Sequence, residues 1–308
     1  MHDRDPVHAQ TRPLTPSWLK PAWLAATGML APKLSHTPSV LGRIGALEAR
    51  LAQTRKEVKR AQKLRYKVFY RDGQAVADAA TRLAQRDRDA FDDICDHVLV
   101  IDYSRAANAL RLPRKPPVVG TYRLLPQEVA DRHGGFYTSS EFAIEELTER
   151  HPHLRFLELG RSCVLPPYRT KRTVELLWHG VWSYVRQNRF DVMIGCASLE
   201  GTDPDRLALP LSFLHHFASA PGEWRASALA HRAVDMNRMP KDAIDAKRAL
   251  RELPPLIKGY LRLGAFIGDG AVIDRQFGTT DVLMILPVSA INARYIEHFG
   301  ADATRHAA

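Results

Sequence analysis

Glu158 and Arg161 lie three residues apart in FLELGRSCVLPPYRTKRTV, residues 156–174, and Arg169, Lys171 and Arg172 follow in the same stretch. A carboxylate can take a proton, and a guanidinium can hold an anion through paired hydrogen bonds. The apolar run reads as a buried strand that stops at Pro166-Pro167 and passes into a helix with a basic first turn. A helix start presents unpaired N–H groups and a partial positive charge. Three added cations make it an anion site, suited to a phosphate or a phosphopantetheine. Together these residues point to transfer chemistry on a phosphate-tagged substrate. In an unbroken strand, residues 158 and 161 face opposite sides. A bulge between them, with Gly160 the natural place, brings both to one site.

The elements that must position these groups follow from period and punctuation. Residues 97–102 (HVLVID), 118–125 (VVGTYRLL), 155–165 and 192–197 read as strands, and residues 174–188 as a helix. Pro254-Pro255 opens a second helix, Gly264 closes it, and strands follow at 265–274 and 281–286. This alternation predicts an α/β (α+β) fold with a mixed central sheet flanked by helices, as one domain over residues 41–300. Ile44, Leu47, Leu51, Val58, Ala61 and Leu64 recur at three- and four-residue spacing, which predicts one amphipathic helix over 41–70. Residues 1–40 read as an irregular Pro-rich tail with an apolar patch around Trp18 and Trp23, and residues 200–247 as a loop-rich insertion. Lipid contact, folding back and a free chain all remain open for the patch.

The net charge is +10, and residues 41–67 hold nine Lys or Arg against two Glu. Such a run attracts an anionic membrane, a nucleic acid or an acidic protein, or is a solvated helix face. No RNA-binding signature is present, so nucleic acid is not expected. No apolar run reaches membrane-spanning length and no signal peptide is visible, so a cytoplasmic protein is expected, with peripheral contact to anionic membrane through residues 16–67. Cys95, Cys163 and Cys196 are widely spaced and read as reduced packing thiols. The adjacent His215 and His216 lack metal-site spacing, and a packing or hydrogen-bonding role is expected. No metal site is expected.

The order of strand, basic helix start, strand, helix ending YLRLGA and two final strands resembles the GCN5-related N-acyltransferase (GNAT) fold. LRYKVFY (64–70), RDAFDDICDH (88–97), VVGTYRLLP (118–126) and LELGRSCV (157–164) resemble the acyl-homoserine-lactone synthases of that fold. ELGRSCVLPPYRTKRTVELLWHG, GCASLEGTDP, LSFLHHF and LPPLIKGYLRLGAFIGDGAVIDRQFGTTDV are similar to the L-ornithine Nα-acyltransferases. That resemblance runs from residue 64 to 287. It implies transfer of a 3-hydroxyacyl group from acyl carrier protein to the α-amine of L-ornithine, giving a lyso-ornithine lipid, with no bound cofactor. GNAT enzymes cradle coenzyme A with R/Q-x-x-G-x-G/A. Here Arg169 matches, while Arg172 and Val174 occupy the glycine positions. Larger residues hinder close approach of a pyrophosphate, and the single phosphodiester of a carrier-bound 4′-phosphopantetheine suits the site better.

The resemblance also implies roles. Glu158 is the candidate base, or an ion-pair partner of Arg161 or Arg123. Arg161 and Arg123 are candidate clamps for the ornithine carboxylate, or partners of Asp92, Asp96 and Glu158. Asp92 and Asp96 are candidate holders of the δ-ammonium. Tyr260 matches the Tyr of a Y-x-x-x-G pattern that protonates the leaving thiolate, or packs in its helix. A backbone N–H within residues 162–164 is the expected oxyanion donor. An acyl-homoserine-lactone synthase and a non-catalytic basic binding module are the competing readings.

Overall fold

The β-rich apolar runs of the sequence become strands of one sheet in the computed structural model, which describes residues 40–104 and 115–291. The elements are β1 (Val40–Ile44), β2 (Leu47–Leu51), α1 (Arg55–Tyr66), α2 (Ala79–Ala84), β3 (Asp96–Asp102), β4 (Val118–Pro126), α3 (Gln127–Ala130), α4 (Ile144–Arg150), β5 (Phe156–Val164), α5 (Lys171–Asn188), β6 (Val192–Glu200), α6 (Ala208–Ala218), β7 (Ala233–Val234), α7 (Ala246–Glu252), α8 (Pro255–Leu263), β8 (Phe266–Asp274) and β9 (Thr279–Pro287). The sheet order is β1-β2-β3-β4-β5-β6-β9-β8-β7. Only β5 and β6 run parallel, joined by α5; every other neighbouring pair is antiparallel. The expected α/β architecture is therefore present. The tail with Trp18 and Trp23 lies outside the described residues, as do residues 292–300 of the expected domain.

Alternation along the strands sorts the core into two faces. Val98, Val100, Tyr122, Leu124, Leu157 and Leu159 pack with Leu176, Leu177, Val181 and Tyr184 of α5. Leu99, Ile101 and Cys163 pack with Val58, Ala61 and Leu64 of α1. The sheet is thus sandwiched between α5 and α1.

The helix expected over 41–70 is corrected by the structure: its first third is the β1–β2 hairpin. Ile44 pairs with Leu47 across a two-residue turn, and Gly45 sits at φ +58°, which glycine adopts without strain. Ile44, Leu47 and Leu51 fit either period, and the turn decides. The helix begins at Arg55, where Thr54 Oγ1 accepts from Glu57 N at 3.3 Å. The stretch 200–247 holds α6 with both histidines; His216 Nε2 lies 3.1 Å from the Met239 carbonyl oxygen. Among the described residues no helix is long and apolar enough to cross a membrane.

Candidate active site

β5 and β6 pair only as far as Glu158 opposite Ile194, then part, while β6 stays paired with β9 to Glu200. Two local features open them. A Cβ on Gly195 would lie 2.3 Å from the Leu159 carbonyl oxygen, so only glycine lets β6 cross there. β5 also bulges: Thr121 pairs with Cys163 and Arg123 with Gly160, so Arg161 and Ser162 together face Tyr122. The expected bulge exists, but its left-handed residue is Arg161, at φ +50°, rather than Gly160. The Arg161 guanidinium lies 4.7 Å from the ring centres of both Tyr137 and Phe277, and its nitrogens are 3.4 and 3.3 Å from Asp87 and Asp89.

The parted strands leave a cleft of about 1170 Å³. At one end it meets the start of α5, where Thr170 caps the helix and Arg169 and Lys171 line the opening. Arg169 Nε donates to the Val164 carbonyl at 3.2 Å, and Lys171 pairs with Glu175 at 3.5 Å. Arg172 is not in the lining; it packs on the hairpin turn, where a Cβ on Gly45 would fall 2.7 Å from its Nη2. Midway, the Tyr260 hydroxyl sits 2.9 Å from the Tyr122 hydroxyl, with Trp178 edge-on to Tyr260 at 5.1 Å. Burial pushes both phenols up, so both stay protonated.

Besides Arg172, four expected site residues do not reach the cleft. Glu158 accepts from Tyr137 N at 3.0 Å, from Thr138 N at 2.7 Å and from Thr138 Oγ1, and it ties that turn to β5. Burial raises its proton affinity, but its oxygens are spent on the turn. Arg123 is buried and bonds Asp89 at 2.6 Å. Asp92 accepts two bonds from the fully buried Arg65, at 2.7 and 2.8 Å, and Asp96 accepts from Tyr184 at 2.9 Å. The physical reason is shared: each buried charge found a partner within the fold, which a buried charge must have. Arg65 and Asp87, bonded at 2.7 Å, complete this lattice and were invisible as such in the sequence.

The sequence reading missed a second acidic group. Oxygens of Glu141, Asp274 and Asp281 lie within 4.8 Å of one another, and Asp274 and Asp281 line the cleft. Asp274 Oδ1 accepts from Gln276 N at 2.8 Å and Phe277 N at 3.0 Å; Asp281 accepts from Thr279 Oγ1 at 2.9 Å. Glu141 accepts from the Cys196 thiol at 3.2 Å and lies 3.3 Å from Arg232. Burial and then the neighbouring Asp281 push the Glu141 carboxyl up to about 7, and burial raises Asp281. This chemistry fits a cation, an ammonium or a metal ion. The one signal available was Asp281 at the head of the apolar run VLMIL, an acid at a buried position.

The acetyltransferase (GNAT) domain family matches residues 64–179. L-ornithine N(alpha)-acyltransferase of Brucella abortus (strain 2308) is 53% identical over 266 residues, covering 86% of this chain and 93% of that protein. This chain belongs to the L-ornithine Nα-acyltransferase family. The relative of that name from Rhizobium meliloti (strain 1021) is also 53% identical, over 86% of this chain and 88% of its own length. Among solved structures, FeeM, an N-acyl amino acid synthase from uncultured soil microbes, aligns with TM-score 0.44 and 9% identity over 79% of this chain and 91% of that one. As a member of the L-ornithine Nα-acyltransferase family, the protein is an acyltransferase with a GNAT fold. The GNAT match includes the bulge, Arg169 and Lys171, and ends before Tyr260, Asp274 and Asp281.

Proposed function

We propose that this acyltransferase moves a 3-hydroxyacyl group from the 4′-phosphopantetheine thioester of an acyl carrier protein to the α-amine of L-ornithine, giving a lyso-ornithine lipid. One observation carries the reading: a single cleft joins a cationic end, a bulged strand beside a buried tyrosine, and an end bearing carboxylates. The names of the 53%-identical relatives supply the acceptor.

In this reading the carrier phosphate lies at the α5 start, against Arg169 and Lys171. The bulge takes N–H groups at residues 161–162 out of the ladder, and these meet the developing oxyanion. The ornithine carboxylate faces Arg161, and its δ-ammonium is held by Asp274, with the buried Glu141 behind it. Asp281, the buried acid that lines the cleft, takes the place of Glu158 as proton acceptor. It removes the α-ammonium proton, the nitrogen bonds to the acyl carbon, the C–S bond breaks as the Tyr260 hydroxyl donates to the leaving sulfur, and the second proton that the nitrogen loses as the amide forms restores the Tyr260 hydroxyl. The apolar wall of Leu177, Trp178, Leu256 and Leu263 takes the acyl chain. The product is amphiphilic, so release into a membrane belongs to the same reading.

The test is mass spectrometry of products from purified protein, 3-hydroxyacyl carrier protein and a panel of ornithine, lysine and S-adenosylmethionine. Nα-acylornithine is expected. A competent carrier yielding no acylated ornithine sinks the reading, and methylthioadenosine release would mark a lactone synthase instead.

A further inference from the structure

A cationic face near the cleft mouth is not used by the chemistry above. Arg55, Lys56, Lys59 and Lys63 are exposed on α1. Arg55 and Lys59 share a depression of about 280 Å³ with Arg86 and Arg88, and its lining holds one acid, Asp93, 3.8 Å from Arg88. Arg86 bonds Gln62 at 3.5 Å, and none of Arg55, Lys59 and Arg86 is ion-paired with a described carboxylate. Three residues before Arg86, the short helix α2 carries Leu83, which is 90% exposed, and none of its residues is buried. Val76, just ahead of α2, is 68% exposed. Exposed aliphatic side chains on a segment that runs into a cluster of cations are what an element lying on an anionic lipid surface presents. The same segment begins at the cleft, because Val68, Phe69, Asp72, Gly73 and Gln74 line it.

We propose that the α1–α2 face docks on an anionic lipid bilayer: Leu83 enters the boundary between headgroups and acyl chains, and the depression between Arg55, Lys59, Arg86 and Arg88 takes a lipid phosphate. Charge complementarity selects this occupant, and the exposed Leu83 distinguishes a bilayer from a purely polar anion. The cleft then opens beside the surface that receives an acylated product. Only that last point rests on the proposed function, and binding to vesicles is measured without any substrate.

The experiment uses the full chain and sedimentation with vesicles of phosphatidylcholine, with and without phosphatidylglycerol. The wild type binds the anionic vesicles, and binding weakens with salt. Each cation near such a surface contributes about fivefold to partitioning, so R55S/K59S/R86S/R88S loses about two to three orders of magnitude. Leu83→Ser weakens binding about tenfold. Arg55, Lys59, Leu83 and Arg88 are exposed, Arg86 is half-buried, and none of them lines the catalytic cleft, so acyl transfer between soluble substrates stays at the wild-type rate in both variants. Inorganic phosphate competes only weakly if a lipid headgroup within a surface is the ligand. Indifference of the wild type to phosphatidylglycerol overturns the proposal. So does unchanged vesicle binding by the quadruple variant, or a quadruple variant whose sole defect is a raised KM for acyl carrier protein. Absence of acyl transfer by the wild type, with its vesicle binding intact, would instead count against the proposed function.

Discussion

Asp274→Asn tests the acceptor end of the cleft with little disturbance of the fold. Asp274 Oδ1 accepts from Gln276 N and Phe277 N, and an asparagine carbonyl keeps both bonds. Only the charge is lost. An ammonium about 4 Å from a carboxylate gains about 4 kcal/mol at an effective dielectric of ~20. Asp274 is half-buried and belongs to a group of three carboxylates already met by Arg232, so the lower value for a charge-assisted hydrogen bond, about 1.5 kcal/mol, is appropriate. That is about tenfold in kcat/KM. The assay compares ornithine with norvaline, which has the same carbon chain and no δ-amine. The ratio of their kcat/KM values is expected to fall about tenfold in the variant, with norvaline unchanged. A ratio unchanged from wild type would refute the assignment of the δ-ammonium to this group; an equal loss with both acceptors would place Asp274 in the support of the cleft and refute it equally.

Tyr260→Phe should lower kcat by about a hundredfold or more with little change in KM for the acyl carrier, and single-turnover measurements on a loaded carrier would show it; wild-type kcat would remove Tyr260 from the chemistry. Arg169→Ala and Lys171→Ala should each raise the carrier KM by up to about fivefold at low salt, and the difference should vanish at high salt. Glu141 titrates near 7 when folded, against an ordinary carboxylate value of 4.5. Its folded state therefore holds the proton more tightly, and stability falls as pH rises from about 4.5 to about 7, by on the order of 3 kcal/mol. Glu141→Gln should flatten that fall in urea unfolding, and an unchanged slope would count against it. Gly195→Ala should destabilise the protein by about 1–3 kcal/mol through the clash with Leu159, read as a lowered thermal midpoint.

The elements that frame the cleft were legible because their signals agreed. β5 ends at a Pro-Pro corner, α8 starts on a proline and stops at Gly264, at φ +97°, and β8 and β9 carry long β-rich runs. The hairpin was not legible because its apolar residues satisfy a helical period as well as an alternating one, and one glycine arbitrates. α6 was hidden because its N-cap residue, Leu207, offers no side-chain cap. At the site, the bulge was expected on the condition that residues 158 and 161 line one site, and the resemblance to the GNAT fold pointed the same way. The failure at Glu158 has a clear cause. Its partners are backbone N–H groups about twenty residues upstream, and a backbone donor leaves no trace in residue type. Glu141, Asp274 and Asp281 come from the loop before α4, the end of β8 and the start of β9, so only the closed sheet brings them together.

Arg123, Arg161 and Asp92, which the sequence suggested for substrate, also explain how the bulge is maintained. A left-handed conformation costs a residue such as Arg161 about 1–2 kcal/mol, and it persists only if its surroundings over-determine it. Those surroundings are three acids, Asp87, Asp89 and Asp92, and three bases, Arg65, Arg123 and Arg161, linked across α1, the segment before β3, β4 and β5. The sum is neutral, and removing one member strands a buried partner at about 3–5 kcal/mol, more than the strain it supports. Arg161 cannot relax to an extended conformation without carrying its guanidinium away from Asp87, Asp89 and the rings of Tyr137 and Phe277. The lattice on the α1 face therefore fixes the backbone opposite Tyr122, which is hydrogen-bonded to Tyr260. A substitution at Arg65, on the α1 side of the sheet, should consequently alter kcat through the bulge as well as lowering stability.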